Sequence, residues 1–164
     1  MATEVQREKY EEVFGYYDTD NDGEIVQSDI DALIASWTHE FGVTPGSDDW
    51  RRLVDLGNRL WSSIEGHDVD GDKKISKEEF TAAHAQPGFV DEIAIPLAMA
   101  AFDLADTDND GQISIQEWLA SQKTHGLAPK EAVDAFQSWD TDGDGYLSRD
   151  EYRRYTESFY KDAN

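Results

Sequence analysis

The chain alternates between stretches with an apolar residue every three or four positions and short stretches with an acid at every second one. Spacing of the first kind marks a helix with one buried face. Tyr10, Val13, Phe14 and Tyr17 predict a helix over about residues 4–17, with Thr3 and Gln6 in capping-box spacing at its start. Ile30, Leu33, Ile34, Trp37 and Phe41 continue the spacing until Gly42-Val43-Thr44-Pro45-Gly46 stops it. A further helix starts near Ser47, with Trp50, Leu53, Val54, Trp61 and Ile64 on its buried face. Phe80 and Ala83 open a short helix that cannot run through Gln86-Pro87-Gly88. Val90 to Leu104 reads as the next, and Pro96 within it predicts a kink or a late start. After Trp118 and Leu119 the chain breaks at His125-Gly126, and Leu127 to Pro129 starts a helix carrying Ala132, Ala135, Phe136 and Trp139. Tyr152, Tyr155 and Phe159 mark the apolar face of the last helix, and the tail Lys161 to Asn164 is expected to fray.

The acidic stretches fall between these helices and repeat one pattern. They open at Asp18, Asp68, Asp106 and Asp140, at intervals of 50, 38 and 34 residues, so a helix–loop–helix unit occurs four times. The third stretch carries the pattern in full: Asp106, Asp108 and Asp110 alternate, Gly111 is sixth, Gln112 seventh and Glu117 twelfth. A hard dication takes about six to eight oxygens at roughly 2.3–2.6 Å, and alternate residues of a tightly curled loop point at one centre. Glycine at the sixth place suits a sharp turn with positive φ. The seventh residue can offer its carbonyl, and the glutamate, already on the next helix, reaches back with its carboxylate. The fourth stretch matches throughout, with Asp140, Asp142, Asp144, Gly145, Tyr146 and Glu151.

Two stretches depart from it. In the second, Asp68, Asp70, Asp72, Lys74 and Glu79 are in place, but Lys73 stands where glycine is expected. Holding a residue with a Cβ in the left-handed region costs about 1–2 kcal/mol, so weaker binding is expected there. In the first, Asp18, Asp20, Asp22, Gly23 and Glu24 are regular, but the twelfth residue is Asp29, one methylene shorter than glutamate. It is expected to reach an ion with one oxygen, and the resulting six ligands suit Mg²⁺ better than Ca²⁺. Ser76, Ser114 and Ser148, three residues before each glutamate, are placed to cap the exiting helix, while the first stretch has Val26.

The eighth positions hold Ile25, Ile75, Ile113 and Leu147, β-favouring residues able to join two loops through a short antiparallel ladder. Phe14, Ile64, Phe102 and Phe136 precede the loops, and Ile30, Phe80, Trp118 and Tyr152 follow them, so these side chains are expected to meet between paired helices. The units therefore pair as first with second and third with fourth. The halves span residues 1–86, with loops 18–29 and 68–79, and 89–164, with loops 106–117 and 140–151.

Charge narrows the partners. In 164 residues, 36 acidic against 14 basic side chains give a formal charge of −22, which excludes nucleic acid and anionic membrane, both of which need clustered Lys and Arg. Four divalent ions would bring it to −14. The chain has no cysteine, hence no disulfide framework or thiolate metal site. It shows neither a signal-peptide pattern at its start nor an 18-residue apolar run, and a cytoplasmic monomer is expected. His39, His67, His84 and His125 lack ligand or triad spacing and read as surface or cap residues; there is no catalytic constellation, and an enzyme is not expected. Trp37, Trp50, Trp61, Trp118 and Trp139 read as core, with a cavity for an apolar ligand as the alternative.

From about Arg7 to Phe159 the chain resembles the EF-hand proteins through its repeated twelve-residue loops. The long first interval, the turn at Pro87-Gly88 and the proline before the third loop make it similar, within that superfamily, to the sarcoplasmic calcium-binding proteins and calerythrin. The resemblance implies an all-α fold of four EF-hands in two pairs, compact, with short antiparallel β ladders between paired loops. It also implies a Ca²⁺-buffering role. Only two methionines are present, so the Met-rich surface of a promiscuous helix binder is missing. The rival reading is a Ca²⁺ sensor that binds a target protein; a third is a Ca²⁺-dependent carrier of a small apolar ligand.

Overall fold

The computed structural model describes residues 4–124 and 127–161. Its elements are α1 (Glu4–Tyr17), α2 (Gln27–Glu40), α3 (Asp48–Glu65), α4 (Lys77–His84), α5 (Ile95–Ala105), β1 (Gln112–Ser114), α6 (Ile115–Thr124), α7 (Pro129–Trp139), β2 (Tyr146–Ser148) and α8 (Arg149–Lys161). The fold is all-α, four helix–loop–helix hands in two pairs. It divides into one unit of Met1–Ala94 with Phe159–Asn164, and a second of Ile95–Ser158.

Local chemistry sets the helix ends. The Ser47 side chain accepts from the Trp50 N–H and starts α3, whereas Pro129 occupies the first turn of α7, where its missing N–H costs nothing. Pro96 is the second residue of α5, and a π-helical turn over Val90–Ala94 precedes it. The late start is therefore the observed outcome. The proposed Thr3 cap, the break at His125-Gly126 and the fraying of residues 162–164 lie outside the described residues.

In the first unit α2 packs on α3 so closely that a Cβ on Gly57 would lie 2.8 Å from Ile34 Cγ1. Leu53, Trp61 and Ile64 are buried on α3, while Trp50 and Val54 are half-buried. The hands join at their eighth residues: Ile25 and Ile75 exchange N–H···O bonds of 3.0 and 2.8 Å. The second unit repeats the device as a ladder, β1 antiparallel to β2, with Ile113 opposite Leu147. Both are fully buried.

Helices preceding one loop meet helices following the other. Phe14 packs edge-on to Phe80 at 5.5 Å between ring centroids, Phe102 to Tyr152 at 5.6 Å, and Trp118 lies 6.3 Å from Phe136. Trp118 Nε1 donates to the Ala132 carbonyl at 2.7 Å, and Trp139 stacks on Tyr155 at 3.6 Å. Trp37, Trp61 and Trp118 are buried and Trp139 half-buried.

One expectation fails. His84 is not a surface residue: it is 2% exposed. Its ring lies 3.9 Å from Phe80, 4.0 Å from Phe89 and 5.3 Å from Tyr10, with Tyr160 stacked at 6.0 Å. Nδ1 meets the Phe80 carbonyl at 2.9 Å and Nε2 has no partner. No spacing on its own helix announces this, because three of the four rings come from elsewhere in the chain. His39 is exposed, His67 half-buried, and His125 lies outside the described residues.

Candidate metal centre

Each loop curls around its own carboxylates through backbone donors. The sixth residue gives its N–H to the first: Gly23 to Asp18 at 2.9 Å, Lys73 to Asp68 at 2.8 Å, Gly111 to Asp106 at 3.0 Å and Gly145 to Asp140 at 2.9 Å. Donating inward from that position needs positive φ, which is 89°, 63°, 83° and 86° in the four loops. Lys73 thus adopts the glycine conformation. The fourth residue is also left-handed, at Asn21, Gly71, Asn109 and Gly143. These are residue types that tolerate it, and their recurrence at the fourth place is the sequence signal for this turn.

The remaining acids are pinned in the same way. Asp20, Asp70, Asp108 and Asp142 each accept the N–H two residues on, at 3.1–3.2 Å. Asp22, Asp72, Asp110 and Asp144 accept from the seventh residues Glu24, Lys74, Gln112 and Tyr146 at 2.9 Å. Across the first pair, Lys74 Nζ lies 2.6 Å from the Glu24 carboxylate.

The twelfth residues close the loops. Glu79, Glu117 and Glu151 each take the N–H of the preceding serine on one oxygen, at 2.8–2.9 Å. The serine hydroxyl accepts the glutamate N–H at 3.2–3.3 Å, completing a capping box. At the first loop Asp29 keeps only the carboxylate half, accepting from Val26 N–H at 2.9 Å. The other oxygen of each glutamate turns to the front of its loop, where Val69, Thr107 and Thr141 donate their N–H groups at 2.8–3.0 Å.

Carboxylate oxygens thereby gather at four places. Asp18, Asp20 and Asp22 offer oxygens within 4.8 Å of one another, as do Asp68, Asp70 and Asp72. In the second unit the groups are Asp106, Asp108 and Glu117, and Asp140, Asp142 and Glu151. Their mutual field is visible in the acids at position three. Desolvation, helped by the Asp110 and Glu117 charges, raises the Asp108 carboxyl above its ordinary range against the Asp110 N–H. Asp20 is raised by desolvation and by Asp22 and Asp29. Glu117 shows the opposite balance: desolvation is outweighed by the N–H groups of Ser114 and Asp108 and the hydroxyls of Ser114 and Thr107, so its carboxyl is held low. Hard oxygen donors crowded on strained loops, with no nitrogen or sulfur among them, suit Ca²⁺ or Mg²⁺ and not a softer metal.

Residues 96–157 match the family model of the EF-hand domain pair. Over residues 96–157 fold and site are those of an EF-hand domain pair, with acidic loops suited to Ca²⁺. Along its length the chain is similar to calerythrin of Saccharopolyspora erythraea, at 23% identity over 158 residues, 92% of this chain and 89% of calerythrin. Among solved structures it is similar to a calcium-binding protein of Streptomyces coelicolor whose structure is described as the basis for prokaryotic calcium-mediated regulation by that protein. That match has 29% identity and a TM-score of 0.76 over 94% of this chain and 97% of the other. Calcium-loaded apo-aequorin from Aequorea victoria shares the fold at 20% identity and TM-score 0.78, over 96% of this chain and 91% of its own. So does the calcium-loaded apo coelenterazine-binding protein of Renilla muelleri, at 22% identity and TM-score 0.64, over 96% and 91%. No helix among the described residues is long and apolar enough to cross a membrane.

Proposed function

We propose that the protein is an intracellular Ca²⁺ buffer, monomeric and cytoplasmic, taking up as many as four ions, with Mg²⁺ competing at the first loop. The ligands of the second pair, residues 89–164, are Asp106, Asp108, Asp110, Glu117 and the Gln112 carbonyl, and Asp140, Asp142, Asp144, Glu151 and the Tyr146 carbonyl. Those of the first, residues 1–86, are Asp18, Asp20, Asp22, Asp29 and the Glu24 carbonyl, and Asp68, Asp70, Asp72, Glu79 and the Lys74 carbonyl. An ion in a loop offsets the repulsion of its carboxylates, and at 100 times the dissociation constant the fold gains about 2.7 kcal/mol per site.

The observation that carries the buffering role is the filled interior of each pair. Phe14 against Phe80, and Trp118 against Phe136 and Ala132, occupy the faces a sensor would open to a target helix. Those faces are aromatic where a promiscuous groove is rich in methionine. A sensor is the second reading, favoured by the likeness to a protein described with calcium-mediated regulation. Hydrophobic-dye binding separates the two. A buffer gives no rise specific to Ca²⁺ over Mg²⁺ and chelator, and a clear Ca²⁺-specific rise overturns this reading.

A further inference from the structure

The second residue of the loop is not among the positions expected to supply a ligand, yet three of the four loops place a threonine there whose hydroxyl donates to the twelfth carboxylate. Thr19 Oγ1 reaches Asp29 Oδ1 at 2.8 Å, Thr107 Oγ1 reaches Glu117 Oε1 at 3.1 Å, and Thr141 Oγ1 reaches Glu151 Oε1 at 3.2 Å.

The surroundings of these bonds differ in one respect. In the third loop the same Glu117 oxygen also takes the Thr107 and Asp108 N–H groups, at 3.0 and 3.3 Å. Glu151 takes those of Thr141 and Asp142 at the same distances. The second loop has Val69, and Glu79 makes do with its N–H at 2.8 Å. At the first loop the Thr19 hydroxyl makes the contact to Asp29 Oδ1 from the front of the loop, and Asp29 is one methylene shorter than the glutamates of the other loops. The threonine side chain spans the gap. Asp29 is 3% exposed, so an oxygen deprived of its donor there would be left out of water as well.

We propose that Thr19 is the positioning residue of the first loop, holding the short Asp29 carboxylate toward the front of that loop, whereas Thr107 and Thr141 only reinforce a pose that backbone donors already fix. The inference rests on the ligand assignment proposed above, and it has a readout that needs no ion. Asp29 takes the Val26 N–H on its other oxygen. Loosening Asp29 exposes that amide to exchange, while the Ser114 and Ser148 amides report on Glu117 and Glu151 in the same way.

The test is amide hydrogen exchange in chelator on Thr19→Val, Thr19→Ser, Thr107→Val and Thr141→Val, paired with Ca²⁺ calorimetry. One hydrogen bond to an ionised acceptor is worth about tenfold. Thr19→Val is expected to speed exchange at Val26 about tenfold and to weaken first-loop binding by a similar factor, and Thr19→Ser to restore both. Thr107→Val and Thr141→Val should change Ser114 and Ser148 by less than about threefold. Unchanged Val26 exchange in Thr19→Val, or equal acceleration in all three valine variants, overturns the proposal. A wild-type first loop that takes up no ion would refute the ligand assignment there, and Val26 exchange would still decide the role of Thr19.

Discussion

Ile113 and Leu147 face each other across the β1–β2 ladder, each fully buried, so the third and fourth loops meet through their eighth residues. One flank of each side chain is the other loop. Leu147→Ala is therefore expected to cost about 2–5 kcal/mol of unfolding free energy. It should also weaken Ca²⁺ at both loops of the pair. Denaturant melts and calorimetry on the variant check this; a loss confined to the fourth loop would mean the ladder carries no coupling.

Lys73 holds φ at 63° where the other loops have glycine. Lys73→Gly removes a left-handed penalty of about 1–2 kcal/mol, less the extra entropy glycine brings to the unfolded chain. Ca²⁺ affinity at the second loop is expected to rise severalfold, with a modest gain in melting temperature. Competition against a chelating dye measures the first and calorimetric melting the second.

Asp29→Glu lengthens the arm that closes the first loop. With the added methylene the carboxylate reaches the front of the loop as Glu117 and Glu151 do, at 3.0 Å from the second-position N–H. Ca²⁺ affinity there should rise and selectivity over Mg²⁺ sharpen. Titrations with each ion decide it, and an unchanged or lower Ca²⁺ affinity would show that arm length is not limiting.

Glu117→Gln keeps the shape of the third loop but removes one charge from a carboxylate that accepts three N–H groups and a hydroxyl. A charged acceptor makes bonds worth about 1.5–3 kcal/mol each against about 1 kcal/mol for a neutral one. Both loop closure and ion affinity are expected to fall sharply, by tenfold or more in calorimetric titration. An unaltered titration would remove Glu117 from the site.

Burial lowers the His84 pKa from its ordinary value to about 4, against the opposing hydrogen bond to Phe80. Between pH 6.5 and 4 the unfolded chain takes up a proton that the folded chain refuses. The stability of the neutral imidazole is thus fully present above about pH 6.5, and it is lost as the pH falls toward 4. The loss between pH 7 and pH 5 is roughly 2 kcal/mol. His84→Phe should lose less over the same interval, and the difference between the two pH slopes, read from denaturant melts, isolates this group from the carboxylates.

What could be read in advance was whatever repeats at short range. Acids at alternate positions located all four loops, and the eighth-position apolar residues gave the pairing, because one loop's local pattern fixes which of its residues can face another. The rings before and after each loop met as expected for the same reason. Contacts assembled from distant parts of the chain were illegible: His84 looks like a polar helix end until Tyr10, Phe89 and Tyr160 are brought around it. Thr19, Thr107 and Thr141 were visible at a common place in three loops, but a position that supplies no expected ligand invites no attention until its hydroxyl is seen to reach the far end of its own loop.

Lys9 donates to the Phe159 carbonyl at 3.0 Å and its ammonium lies 5.0 Å from the Phe159 ring, so the first helix is held by a turn made after every loop. The first unit therefore cannot be completed until the residues of the second have been made. Residues 95–158 are contiguous in the chain, while the unit containing Tyr10 and His84 draws part of its packing from Phe159 and Tyr160, made after all four loops.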